Sequence, residues 1–181
     1  MIDFPLLKTF KVNLRVVYFL NRKFDQYKKN YPSWENQNNF NNSGYQTPNL
    51  LSWDDKEYQN FLKNKLRRII HPFIKGSWEY HWTHFLDYDV GGEMGLHNHK
   101  HNEDFVLFIY LKTCKTGETV FYLNDEYPKR TLVSITPTEN VGAIFSSLIM
   151  HEGKYTKENK RIFVCGIKMS GTKEINMLFL L

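Results

Sequence analysis

The chain has little of what would commit it to several common classes. There are 2 cysteines in 181 residues. Cys114 and Cys165 both lie in apolar, strand-like runs. They form no C-x-x-C pair and are too few to staple a small secreted scaffold, so they read as packed free thiols in a reducing compartment. Any metal site must then rely on histidine and carboxylate. No apolar run reaches the roughly 20 residues that a membrane-spanning helix needs. The opening "MIDFPLLKTF" carries an early acid and no small-residue cleavage pattern, which argues against a secretory signal. These absences point to a soluble, cytoplasmic protein with no membrane partner.

Other properties are ordinary for a globular chain: 41% hydrophobic and 24% charged residues. Aromatic residues make up 16%, with 14 Phe, 11 Tyr and 4 Trp, which favours a strand-rich interior. The net charge of +5 is unevenly spread. Residues 1–75 carry 13 Lys/Arg against 6 Asp/Glu, an excess of +7, and residues 76–181 carry 11 against 13, a deficit of −2. The densest basic run, Lys63 to Arg68, reads as the solvated face of an amphipathic helix more readily than as a nucleic-acid patch.

The N-terminal part reads as helical. "NLRVVYFLNRKFDQYKKNYP" ends at Pro32, and a polar tract of Asn, Ser, Gly and Pro follows, irregular except for an extended piece around Tyr45. Ser52 with Asp55 resembles a capping box, opening a helix whose Tyr58, Phe61, Leu62, Leu66, Ile69, Ile70 and Phe73 form a core-facing stripe. From Trp78 the period changes to two. "WEYHWTHFLDY", "LHNHK", "DFVLFIYLK", "ETVFYLN", "TLVSIT", "GAIFSS" and "KRIFVCGIKM" are strand candidates separated by short turns. Many short strands with no helix between them imply antiparallel pairing in a sandwich or jelly roll. The expected architecture is one domain over residues 1–181, mainly β with some α: a helical N-terminal layer (1–75) on a double-stranded β-helix core (76–181). No internal repeat is visible.

Three of the seven histidines, His97, His99 and His101, fall at alternate positions within "YDVGGEMGLHNHKHNED". On a strand, residues i and i+2 share a face, so His97 and His99 can meet one ion. A facial site needs a third ligand from elsewhere, and His151 in "SSLIMHEGKYTKENKRIFV" supplies it. Arg161 comes ten residues later, and a guanidinium one strand from a metal suits the far carboxylate of a chelating acid. Taken one at a time, each feature is as readily a polar loop, a structural histidine or a solvated strand end.

The run "YDVGGEMGLHNH" resembles the Tyr-x-x-Gly-x5-His-x-acid segment of the prolyl-hydroxylase type of 2-oxoglutarate/Fe(II)-dependent dioxygenases. "SSLIMHEGKYTKENKRIFV" is similar to that family's segment from distal histidine to arginine, and "FIYLKTCKTGETVFY" to the strand pair between them. "NNSGYQTPNLL" with the following helix resembles small oxygenases of marine bacteria and phages. The resemblance covers roughly residues 40–170. It implies an oxidoreductase with Fe(II) as cofactor and 2-oxoglutarate as small-molecule cosubstrate, acting on a further substrate, with nucleic acid an unlikely partner. It implies His97, His99 and His151 as metal ligands and Arg161 as cosubstrate anchor, with Tyr88 and Tyr110 placed to hydrogen-bond the cosubstrate. One position departs: the broad family has Asp where this chain has His99. Three neutral imidazoles leave the iron one charge more positive, which weakens binding and shifts the potential. Glu103 or Asp104 swinging in, or a register using His101 and Glu103, are the alternatives.

Trp78, Tyr80 and Trp82 alternate along one strand candidate and either line the substrate side or pack the core. His71, His81 and His84 read as packing or surface residues. A rival is a cupin, since Gly91, His97, His99 and Glu103 fit Gly-x5-His-x-His-x3-Glu, although "SSLIM" lacks the Pro and Gly of the second cupin segment. A jelly-roll binding module with a decayed site is the non-enzymatic alternative.

Overall fold

In the computed structural model, residues 7–31, 44–123 and 130–170 are described. The polar tract 32–43 and the "NDEYPK" turn lie outside them. Two antiparallel sheets face each other. The larger has the order β1-β8-β5-β10-β3-β2 and the smaller β4-β9-β6-β7. The strands are β1 (Leu7–Lys11), β2 (Gly44–Gln46), β3 (Trp78–Tyr88), β4 (Met94–His97), β5 (Phe105–Tyr110), β6 (Thr119–Tyr122), β7 (Thr131–Ile135), β8 (Val141–Ser146), β9 (Met150–Gly153) and β10 (Lys160–Met169). This is the double-stranded β-helix that the period-two pattern implies.

The N-terminal part is not purely helical. β1 pairs with β8 and β2 with β3, so it extends the larger sheet at both edges as well as covering it. The extended piece at Tyr45 is β2. β9, with His151 as its second residue, is too short and too polar to register as a strand from periodicity.

Alternation along the central strands sorts side chains into two cores. Phe163, Cys165 and Ile167 of β10 join Phe85 and Leu107 under the helices. Ile162 and Val164 join Leu86, Tyr88, Val106, Phe108 and Tyr110 between the sheets, where Phe121 and Ile135 meet them from the smaller sheet. The helical layer is α1 (Leu14–Asn30) and the stretch α2 (Lys56–Asn60), a π-helical turn (Phe61–Leu66) and α3 (Arg67–Ile70). Asn13 caps α1 by accepting the Arg15 N–H, while Lys28 and Lys29 occupy the last turn, where the helix dipole favours cations. Val17, Leu20, Phe24 and Tyr27 form its buried stripe. Ser52 does not cap the next helix. It lies in a 3-10 turn, and Asp55 itself accepts the Tyr58 N–H at 2.8 Å. Lys23 of α1 is buried against the Asp55 carboxylate at 2.7 Å, tying the two helical segments together.

Register breaks at one place that matters. Gly166 pairs with Trp82, but Ile167 pairs with Tyr80, leaving His81 as a bulge in β3. A bulge residue shifts the strand's faces by one. Trp82 therefore points between the sheets, while Trp78 and Tyr80 pack under the helices, with the Tyr80 hydroxyl donating to the Leu62 carbonyl at 2.8 Å.

Candidate active site

β4 and β9 are paired so that His97 and His151 lie directly opposite. His99 follows β4, held by its backbone N–H to the Ser147 carbonyl at 2.9 Å. The three imidazoles converge, and their ligand atoms lie within 4.8 Å of one another. Ring centroids are separated by 4.3 Å for His97 and His151, 5.1 Å for His97 and His99 and 5.4 Å for His99 and His151. The same-face argument thus survives although His99 itself is not in a strand.

The tautomers suit a metal. Nδ1 of His97 lies 2.7 Å from the Gly95 carbonyl and Nδ1 of His151 lies 3.1 Å from the Ile149 carbonyl. A carbonyl only accepts, so each Nδ1 carries the proton and each Nε2 keeps its lone pair. Burial lowers all three from the ordinary histidine value, to about 4 for His99 and about 3 for His151, with mutual repulsion adding to both. Neutral imidazoles are the form a metal binds. Phe121 and Phe145 pack against the His151 ring at 5.7 and 4.8 Å, giving it an apolar wall on the interior side. Three neutral nitrogen donors in one corner fit a divalent iron or a similar first-row ion.

Arg161 does not face this site. It projects from the helix side of β10, where its Nε donates to Asp87 at 3.1 Å and its Nη1 to Asn21 and Asp25, each at 3.0 Å. Its guanidinium lies 4.2 Å from the Phe24 ring centroid. The expected cosubstrate anchor is a structural ion pair between sheet and helix. The reason is parity: in β10 the residue at the interior face is Lys160.

Lys160 is fully buried. Its ammonium donates to the Gly117 carbonyl at 2.9 Å and sits 4.2 Å from the Tyr88 ring centroid. An ammonium has three donors, and among the described residues no carboxylate lies within ion-pair reach of this one. Burial lowers its pKa to about 8. A Cβ placed on Gly153 would come within 3.6 Å of the Lys160 nitrogen and one on Gly117 within 3.3 Å. Missing side chains at these two glycines leave room around the ammonium, and Gly153 is two residues from His151 on β9. Tyr88 is directly opposite Lys160 on β3. The Tyr110 hydroxyl lies 2.6 Å from the Thr119 hydroxyl and 3.1 Å from the Ile135 carbonyl. The two tyrosines thus share the interior with the histidines. Nothing in the sequence pattern singles out Lys160, which stands beside Arg161.

The acids and remaining histidines are also placed. His101 is exposed. The Asp104 carboxylate accepts the Met169 N–H at 2.8 Å. Glu103 is buried, near the Nδ1 side of His99 at 3.6 Å, outside the three-histidine group. His71 is exposed, and His84 holds the Thr47 carbonyl at 2.9 Å through Nδ1. No described helix is long and apolar enough to cross a membrane.

No protein-family model matches the chain, and no curated protein matches its sequence. Solved structures do match. A Pseudomonas putida prolyl-4-hydroxylase is 13% identical at a TM-score of 0.65, over 92% of this chain and 94% of that one. The viral collagen prolyl hydroxylase of Paramecium bursaria Chlorella virus-1, as its 2-oxoglutarate complex, is 15% identical at 0.62, over 94% and 99%. A Trichoplax adhaerens prolyl hydroxylase in complex with a hypoxia inducible factor peptide fragment is 13% identical at 0.65, over 90% and 83%. With two sheets in this order and these neighbours, the chain has the double-stranded β-helix fold, similar to that of these prolyl hydroxylases.

Proposed function

We propose that the protein is a 2-oxoglutarate- and Fe(II)-dependent oxygenase. In this reading His97, His99 and His151 hold the metal through Nε2 and Lys160 takes the far carboxylate of the cosubstrate. The observation that carries it is that three neutral imidazoles with converging ligand atoms share one interior with a buried ammonium that has no carboxylate in ion-pair reach among the described residues. Each calls for a partner: the buried ammonium for an anion, because an unpaired buried charge is disfavoured, and the converging neutral imidazoles for a metal. A metal-chelating dicarboxylate completes both.

The bound iron supplies oxygen activation coupled to decarboxylation of the 2-oxo acid. The chain's residues supply binding and orientation. Lys160 fixes one end of the acid by charge-assisted hydrogen bonds, Tyr88 forms the wall beneath the ammonium, and the Tyr110 hydroxyl, donating to the Ile135 carbonyl and accepting from Thr119, closes the inner side. Phe108, Phe121 and Phe145 keep the floor dry, which strengthens each of these contacts. The His97–His99 segment is the partly exposed edge of the group, and in this reading the second substrate approaches from there. A soluble small molecule or a side chain of a larger partner meets this requirement equally.

A cupin-type three-histidine, one-glutamate centre fits less well, since Glu103 stands behind His99 and not among the ligand nitrogens. The test is thermal unfolding without oxygen, with Mn(II) alone, 2-oxoglutarate alone and both. Stabilisation by Mn(II) that 2-oxoglutarate increases, lost in Lys160→Ala and kept in Arg161→Gln, is the expected result. Stabilisation by metal with no response to 2-oxoglutarate supports the cupin reading. No response to either supports a binding module.

A further inference from the structure

The geometry points to Glu103 as an outer carboxylate of the metal centre, taking the His99 Nδ1–H and supplying at one remove the negative charge that three histidines lack. This rests on the reading of the three histidines as metal ligands and adds a residue that reading does not use.

Three observations converge on it. First, the acceptors behind the three imidazoles differ. His97 and His151 face the neutral Gly95 and Ile149 carbonyls, whereas Nδ1 of His99 faces the Glu103 Oε2 at 3.6 Å. A metal-bound histidine donates its other nitrogen to a carbonyl, carboxylate or water, and for His99 that partner is a carboxylate. Second, Oε2 is buried without a hydrogen-bond partner, the one such atom among the described side chains. An orphaned carboxylate oxygen is disfavoured unless something approaches it, and the group aimed at it is the imidazole of His99.

Third, the position is constructed. The Asn102 and Glu103 N–H groups both turn back to the His99 carbonyl, at 3.2 and 3.3 Å, which folds position 103 under position 99. The Trp82 indole N–H donates to Oε1 and so turns Oε2 toward His99. Trp82 reaches this place only because of the His81 bulge. Gly166 opens the space: a Cβ there would come within 2.5 Å of the Trp82 ring and 2.7 Å of the Glu103 Cγ. His81 lies 3.8 Å from Oε1 on the solvent side. Strand bulge, glycine and indole together hold a carboxylate against a ligand imidazole.

The consequence is electrostatic. Two imidazoles and a carboxylate would leave Fe(II) with one net positive charge, and three imidazoles leave two. A carboxylate bonded to Nδ1 raises the donor strength of His99 and returns the missing charge one bond further out.

The test measures metal affinity and potential, not turnover. Mn(II), Co(II) and Fe(II) binding is measured anaerobically for the wild type, Glu103→Gln and His99→Ala. The expected result is binding by the wild type, weakening of about 10–100-fold in Glu103→Gln, and greater loss in His99→Ala. The Fe(III)/Fe(II) midpoint potential should rise in Glu103→Gln, because the ferric state loses more from removal of the charge. Unchanged affinity and potential in Glu103→Gln overturn the inference while leaving the metal site standing. A wild type that binds no metal overturns the site reading itself and the inference with it. If the variant does not fold, the wild-type Co(II) protein decides by proton magnetic resonance. Three slowly exchanging, paramagnetically shifted N–H signals support a His99–Glu103 bond, and two overturn it. A Co(II) spectrum showing direct carboxylate ligation by Glu103 overturns it as well.

Discussion

Lys160 and Arg161 are consecutive in β10 and point through opposite faces of the larger sheet, the ammonium toward the Tyr88 ring and the guanidinium toward the Asp87 carboxylate. One residue of parity decides which cation faces the histidine corner. Removing the Lys160 charge is expected to abolish the 2-oxoglutarate-dependent part of the response to metal. A charge-assisted hydrogen bond is worth about 1.5–3 kcal/mol, so Lys160→Gln should weaken cosubstrate binding at least about tenfold. Arg161→Gln should leave it within about twofold. Calorimetric titration of the Mn(II)-loaded protein with 2-oxoglutarate distinguishes the two.

Arg161 should instead matter to folding. Its side chain and that of Asp87 are 13% and 10% exposed, and without Arg161 the Asp87 carboxylate keeps Lys28, at 3.1 Å, as its remaining cation. Arg161→Ala is expected to cost about 1.5–3 kcal/mol through the lost charge-assisted hydrogen bonds, read from the denaturant midpoint.

Much of this was legible in the sequence, and the failures share a cause. The period-two runs located β3 and β10 to the residue, because both strands alternate large apolar side chains over ten or more positions. The His97–His99 pair was legible from its i, i+2 spacing and His151 from the order of the motifs along the chain, while the β4–β9 pairing that brings the three to one corner was not. The face of Arg161 was not, because spacing in a hairpin locates a residue along the strand but not across it; parity has to be counted from a core residue such as Phe163. Trp82 misled for a related reason. A bulge at His81 carries no compositional signature, so Trp78, Tyr80 and Trp82 look like one face and are two. β1 and β9 were missed because a short edge strand and a four-residue strand hold too few alternations to register.

The cosubstrate site should be pH-dependent in the direction that burial of Lys160 sets. Desolvation lowers its pKa from 10.5 to about 8, so the anion-binding form is present below about 8 and lost above it. Affinity for 2-oxoglutarate should be flat in neutral solution and fall about tenfold per pH unit above that point. In the ligand-free protein the sign for stability is opposite. Between about 8 and 10.5 the unfolded chain holds a proton that the folded chain has released, so this group's contribution to stability rises with pH. Calorimetry across the range checks the first statement. Lys160→Arg, whose charge persists, should hold its affinity to higher pH.

Metal should stabilise the folded chain through all three histidines. At a free Mn(II) concentration of about 100 times its dissociation constant, linkage gives about 2.7 kcal/mol. For a chain of this size that is a rise of roughly 5–10 °C in melting temperature. His151→Ala, which removes the most buried ligand, should abolish the rise while leaving Phe121 and Phe145 in place. A rise that survives in His151→Ala would mean that the ion sits elsewhere, and chelator reversal of the wild-type shift provides the control.

Gly166 is where fold and site meet, and its substitution should report on both. A methyl group there has no room: Trp82 ring atoms would lie at 2.5 Å and the Glu103 Cγ at 2.7 Å. Both side chains are held, Trp82 by its bond to Glu103 and Glu103 by the turn from His99, so neither moves aside cheaply. Overpacking of this kind costs about 1–3 kcal/mol, and Gly166→Ala should lose that much in denaturant unfolding. If Glu103 acts on the metal through His99, the displaced carboxylate should also weaken Mn(II) binding, in the same direction as Glu103→Gln. Combining the two substitutions then separates the effects. With Gln already at position 103, adding Gly166→Ala should lower stability further and leave metal affinity where the single Gln variant set it.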